Sequence, residues 1–336
     1  MKAIQTLTNG QSQVIQIDPP KIGPDDCLIK TSGCGMCGTD LLKINLKLVK
    51  QDTILGHEVC GQIVETGDRI TDYSVGETIV TAHHVPCFDC HYCRHGNFSM
   101  CETFKKNNLM PGGFAEFIKI SKDHLKHTTF KVPQDMPWQE ALFTEPLACC
   151  VRNLDRLNIQ PRDTIIVVGL GSIGLMMARL LERLECHIIG VDLDQARCQN
   201  ALNYGVDKTF TSDDFTSYIY AQTKGRGADG VIFTAGSAGL LDTSIHWIRN
   251  GGFINLFSHL SGETATVDTS ALYHREIQII STYSSSIASL NKAFEILKNE
   301  RLNLSQMFTT FEPEEFNQAI AAVNQRQILK ALIKFN

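Results

Sequence analysis

Apolar and polar positions fall into two rhythms along the chain. As far as Thr144 the apolar runs are short: "CLIKTSGCGMCG", "EVCGQIVETG", "ETIVTAHHV" and "FAEFIKI", each bounded by Gly, Pro or Asp. Alternation between such turn signals predicts strands, and hence a compact β-rich unit. Near Thr144 the spacing turns helical in "EALFTEPLACCVRNLDRL", with Pro161 as the next punctuation. From Asp163 to Thr282, strand-like runs ("TIIVVGL", "HIIGVD", "GVIFTA", "GGFINLF") alternate with helical ones ("IGLMMARLLERL", "ARCQNALNYG", "GLLDTSIHWI"). That alternation predicts βαβ units around a parallel sheet. Beyond Ser284, "SLNKAFEILKN" and "FNQAIAAVNQ" read as helices, and the final "KALIKFN" as a strand returning to the first unit. The expected division is a β-rich domain of residues 1–148 and 284–336, and an α/β domain of residues 149–283.

Composition narrows the function classes. The 336 residues are 43% hydrophobic and 20% charged, with a net charge of −5, which suits a two-domain globular chain. No Lys/Arg run is long enough to track phosphates, so nucleic acid is not an expected partner. "MKAIQTLTNGQSQ" lacks the apolar core of a secretory signal. Ile165 to Leu181 is broken by Gly169, Gly171, Ser172, Gly174 and Arg179, so no membrane span is expected. These features point to a soluble, cytoplasmic protein. The twelve cysteines then read as metal ligands or catalytic groups rather than disulfides. Cys186 and Cys198 read as packing residues.

"IIVVGLGSIG" sets an apolar strand before G-x-G-x-x-G at Gly169, Gly171 and Gly174, with Ser172 and Ile173 inside the turn. An amphipathic helix follows, then a strand ending at Asp192, eighteen residues after Gly174. In this context the pattern is a dinucleotide site of the Rossmann kind. Gly169 makes the turn, Gly171 admits the pyrophosphate, Gly174 lets helix and strand pack, and the helix N-terminus faces the phosphates. Asp192 would bond the adenosine ribose and repel a 2′-phosphate, favouring NAD over NADP. Arg197 is counted with the cofactor-binding residues.

Cys87, Cys90, Cys93 and Cys101 lie within fifteen residues. Their type and spacing match a closed tetrahedral four-thiolate zinc site, whose role is structural because no coordination position is left open. An iron–sulfur cluster uses the same ligand type.

Further motifs are "GCGMCGTD" (Gly33 to Asp40), "GHE" (Gly56 to Glu58) and "TEPLA" (Thr144 to Ala148). The order CGTD, GHE, four-cysteine lobe, GGFAEF, EPLA, GLGSIG resembles the zinc-dependent medium-chain dehydrogenases of the alcohol dehydrogenase superfamily, and most closely their sorbitol and polyol branch. The resemblance spans nearly the whole chain. It implies an α/β fold in which a doubly wound Rossmann domain joins a β-rich, GroES-like catalytic domain, with two zinc ions per chain and NAD as cofactors. It further implies that Cys37 and His57 bind a catalytic zinc, that Glu58 is a third ligand, and that Glu145 binds the metal or holds its water. Cys34 competes with Cys37 but lies outside CGTD. Asp40 reads either as a brace for the ligands or as a loop cap.

By the same resemblance, Thr39 accepts a hydrogen bond from the substrate alcohol and begins proton release. Many relatives carry histidine two residues after this aspartate; here the position is Leu42. The proton is therefore expected to leave through Thr39, a cofactor ribose hydroxyl and water, or through Glu145. The segment between Asp40 and Gly56 is only fifteen residues long, and Lys43, Asn45, Glu116 and Arg275 are the polar candidates to meet substrate. The alternative for Arg275 is a structural pair with Glu276. The expected reaction is oxidation of a secondary alcohol in a sugar alcohol or cyclitol. The alternatives are a simple alcohol, an amino-cyclitol or a hydroxy-amino acid as substrate, or a zinc- and NAD-binding sensor or scaffold without catalysis. Such relatives are often dimers or tetramers, so a homo-oligomer acting on a small molecule is expected.

Overall fold

Strand Cys27–Gly35 organises the first unit. One of its edges pairs antiparallel with Glu58–Thr66 along its whole length. Its other edge is shared: Phe117–Ile120 covers Cys27 to Lys30, and Lys330–Lys334 covers Gly33 to Gly35. In this register Gly35 lies opposite Glu58 on one side and Leu332 on the other. The Met36 N–H donates to the Ala331 carbonyl at 2.9 Å. Three chain segments far apart in sequence are thus brought to one end of the sheet.

The computed structural model describes residues 1–262 and 264–335; Glu263 and Asn336 lie outside them. The chain divides into two units, Met1–Ala148 with Ser285–Asn336, and Cys149–Ser284. In the first, the sheet runs Phe308–Phe311, Lys330–Lys334, Cys27–Gly35, Glu58–Thr66, Thr78–Thr81, Thr129–Lys131. A smaller sheet joins Lys2–Thr6 to Ser12–Gln16 and Thr53–Ile54. The core contains Ile4, Ile29, Ile63, Phe114 and Ile118, all essentially inaccessible. Each such side chain contributes roughly 1.5–3 kcal/mol by leaving water.

The second unit is a six-stranded, wholly parallel sheet. Its order is Lys208–Phe210, His187–Val191, Thr164–Val168, Ala228–Phe233, Ile248–Leu256, Gln278–Ser281. Every residue of Thr164–Val168 and Ala228–Phe233 is buried, as expected of central parallel strands covered on both faces. Read in chain order the arrangement is 3-2-1-4-5-6, the doubly wound Rossmann order. The fold class read from the sequence is the one observed. Strand Lys208–Phe210 and the Lys2–Thr6/Ser12–Gln16 hairpin are additions to that reading, being short and rich in polar residues. Among the described residues, no helix is long and apolar enough to cross a membrane.

Candidate active site and metal centres

Cys37 caps helix Gly38–Asn45 from extended backbone. Its Sγ accepts the Thr39 N–H, and the Asp40 carboxylate returns to the Cys37 N–H at 3.2 Å. An acidic residue here also suits the positive end of the helix. The second Asp40 oxygen faces the Gly56 N–H at 3.4 Å and His57 Nδ1 at 3.5 Å. Asp40 therefore fills both roles considered for it: it caps the helix and braces the histidine. Gly56 has φ +89, and a Cβ there would come within 2.9 Å of Cys34 Sγ and 2.8 Å of the Phe114 nitrogen. Only glycine turns the chain in this space, and His57 and Glu58 follow directly.

Cys37, His57 and Glu58 each offer a ligand atom, all within 4.8 Å of one another. Thiolate, imidazole and carboxylate together are a donor set that zinc accepts. Burial opposes charge on His57, but Asp40 and Cys37 outweigh it and raise its pKa. Burial likewise opposes charge on Asp40, which His57 and the Cys37 N–H hold below the usual carboxyl range. Cys34 is buried in its strand with Sγ directed at the Gly35 carbonyl, and is not in the close set. Glu145 is buried near the start of helix Thr144–Leu154; it too is outside the set, although its charge reaches Lys330. Thr39 is exposed in the first turn of its helix.

Lys330 is a site residue that the motifs do not reveal. Its Nζ lies 2.8 Å from Glu58 Oε1 and 2.7 Å from Oε2, and 3.3 Å from the Met36 carbonyl. Lys330 is 4% exposed and Glu58 1%. Burial lowers the lysine pKa, yet Glu58 reverses this and the net shift is upward. Gly35 makes room, because a Cβ there would sit 2.1 Å from Glu58 Oε2. The one available sequence signal is a lysine opening the otherwise buried run "KALI".

His83 packs at a tilt against His57 with ring centroids 4.4 Å apart, and His84 against His83 at 3.6 Å. His84 in turn packs at a tilt against Phe104 at 4.6 Å, beside the four-cysteine lobe. There, sulfur–sulfur distances are 3.6 Å for Cys90–Cys93, 3.6 Å for Cys87–Cys101 and 3.9 Å for Cys87–Cys93. Tetrahedral ligation at ~2.3 Å puts sulfurs about 3.8 Å apart, so the lobe fits a zinc ion. Burial and the neighbouring thiols push Cys93 up to about 12. That is the penalty a bound cation would relieve.

In the second unit, Gly169 has φ +93 at the end of Thr164–Val168, and a Cβ on Gly174 would lie 1.9 Å from the Gly169 carbonyl oxygen. At Gly171 the nearest atom to such a Cβ is Arg197 Nη1 at 3.6 Å. That face of the turn is open to a ligand. Ser172 and Ile173 begin helix Ser172–Arg183. Asp192 accepts the Leu170 N–H at 2.8 Å and the Asp194 N–H at 3.0 Å, so it holds the glycine turn in place. Arg275 does not pair with Glu276; it donates to Asn250 Oδ1 and to the Ile245 and Ile248 carbonyls.

A β-rich unit with a Cys–His–Glu set and a thiolate lobe, and a Rossmann unit with an open glycine turn, together define a zinc-type dehydrogenase. Residues 23–134 match the alcohol dehydrogenase GroES-like domain and residues 171–299 the zinc-binding dehydrogenase domain. The chain belongs to the zinc-type medium-chain dehydrogenases and is an oxidoreductase. It is 28% identical to D-arabinitol dehydrogenase 1 of Uromyces fabae, over 96% of this chain and 94% of that one. It is 27% identical to D-arabitol-phosphate dehydrogenase of Enterococcus avium, over 100% and 98%. A putative zinc-binding dehydrogenase from Sinorhizobium meliloti, bound to NADP, shares the fold with a TM-score of 0.89 at 24% identity, covering 99% of both chains.

Proposed function

We propose that the protein oxidises a secondary alcohol of a sugar alcohol or cyclitol to the ketone, reversibly, with hydride passing to NAD. The observation that carries this reading is the Cys37–His57–Glu58 set, built into a chain whose relatives include polyol dehydrogenases. Bound zinc supplies Lewis acidity toward the substrate hydroxyl, and NAD supplies a hydride acceptor. Cys37 and His57 hold the metal. Glu58, tethered by Lys330, is the third ligand, and Glu145 acts through water. Cys87, Cys90, Cys93 and Cys101 hold a second, structural zinc.

Thr39 would accept a hydrogen bond from the substrate hydroxyl and lead its proton toward water, with Glu145 as the alternative route, since Leu42 has nothing to relay. Asp192 selects NAD by repelling a 2′-phosphate, with Arg197 beside the glycine turn as the group that would favour NADP. The chain works as a homo-oligomer in the cytoplasm, a setting supported by its twelve free cysteines.

Thr39→Val is the test of the proton route. Turnover should fall about a hundredfold or more while zinc content is unchanged. Near-normal turnover removes Thr39 from the mechanism.

A further inference from the structure

A glycine turn binds phosphate only while its peptides keep their N–H groups free and turned outward. The N–H groups of Ser172, Ile173 and Gly174 open helix Ser172–Arg183 and have no partner among the described residues. They are the donors a pyrophosphate would use. The Gly169 carbonyl oxygen stands close to them, since a Cβ on Gly174 would lie 1.9 Å from it. A carbonyl at a helix N-terminus is itself an acceptor for such donors, so its direction decides whether they stay free for a ligand.

Thr234 sets that direction. It follows strand Ala228–Phe233, whose Phe233 lies opposite Val168 of the neighbouring strand. This is the carboxyl end of the sheet, at the point where the strand order reverses. The Thr234 hydroxyl donates to the Gly169 carbonyl at 2.7 Å and lies 3.1 Å from the Val168 carbonyl. Val168 has other donors, the N–H groups of Thr234 at 2.9 Å and Ala235 at 3.2 Å. Among the described residues, the Thr234 hydroxyl is the only donor to the Gly169 carbonyl. The N–H of that same peptide, on Leu170, donates to Asp192 at 2.8 Å. One peptide is thus pinned from both sides. The two outer glycines also make room for the hydroxyl: a Cβ on Gly169 would lie 2.8 Å from Thr234 Oγ1, and one on Gly174 3.3 Å.

We propose that Thr234 is a positioning residue for the cofactor: by holding the Gly169 carbonyl, it keeps the first-turn N–H groups of helix Ser172–Arg183 available to the pyrophosphate. Without the hydroxyl, the Gly169 carbonyl loses its donor, and unpaired donors are at hand at the helix start. The pyrophosphate would then have to displace the carbonyl before it could bind, at a cost of about one hydrogen bond. The inference rests on NAD as the cofactor and is independent of which alcohol is oxidised.

The test compares Thr234→Val, which keeps the branched side chain and removes the hydroxyl, with Thr234→Ser, which keeps the hydroxyl. Dissociation constants for NAD, ADP and adenosine are measured calorimetrically on the whole, zinc-replete chain. In Thr234→Val the Kd for NAD and for ADP should rise about tenfold, while that for adenosine, which carries no phosphate, stays within about twofold of the parent. Thr234→Ser should bring NAD and ADP back to within about threefold of the parent. A general loosening of the unit would weaken adenosine by the same factor as ADP, and that result overturns the proposal. If the parent binds NAD and ADP and Thr234→Val binds them within about twofold as well, the role of Thr234 falls and the cofactor reading stands. If the parent binds neither, the cofactor reading falls and the role of Thr234 falls with it.

Discussion

Glu58 and Lys330 are 272 residues apart in the chain, and the lysine ammonium donates to the carboxylate at 2.8 Å in the buried end of one sheet. The pair supplies a charge partner for a carboxylate that is otherwise enclosed by Gly35 and strand Glu58–Thr66. It also ties a candidate metal ligand to the last strand of the chain.

Removing one member of a buried ion pair strands the other. Lys330→Met should destabilise the metal-free protein by about 3–5 kcal/mol in urea unfolding, and the double variant Glu58→Gln/Lys330→Met should recover most of the loss. A single variant within about 0.5 kcal/mol of the parent would show that the pair contributes nothing to the fold.

The glycine turn separates binding from folding. At Gly171 a methyl group meets only the Arg197 side chain at 3.6 Å, so Gly171→Ala should unfold at the parent temperature while its NAD Kd rises about tenfold or more. Gly174→Ala would place a Cβ 1.9 Å from the Gly169 carbonyl oxygen, so both melting temperature and NAD affinity should fall. The same two readouts, fluorescence titration and thermal melts, check both variants.

Three imidazoles near the site resist protonation. Burial lowers His84 from 6.5 to about 4, and also lowers His83 and His124. Such groups take up protons in the unfolded chain before the folded one. The stability they allow is intact above 6.5 and is lost as pH falls toward 4. Urea midpoints should therefore drop across that window, and His84→Phe should flatten the drop. A midpoint independent of pH there would mean these rings are solvated.

What the sequence made legible was local. Period-two and helical spacing identified the two kinds of unit, and the glycine turn carried its geometry within ten residues, from Ile165 to Gly174. CGTD and GHE were read through the order of motifs that the chain shares with a known family, and the cap at Cys37 and the turn at Gly56 emerged only in the structure. Lys330 was not legible, since its meeting with Glu58 depends on the register of Lys330–Lys334 against Cys27–Gly35. Nor was the contact of His83 with His57, which requires strand Thr78–Thr81 to lie beside Glu58–Thr66. Pairing across a sheet is set by the whole core, and a single chain segment does not report it.

The most direct measurement is NAD reduction across a panel of polyols, cyclitols and simple alcohols, repeated after selective removal and restoration of the metal proposed for Cys37 and His57. Activity on a polyol or cyclitol, lost with the metal and regained with zinc, is the expected result. Activity that survives removal of that metal, or that appears only with simple alcohols, would contradict zinc-dependent polyol oxidation.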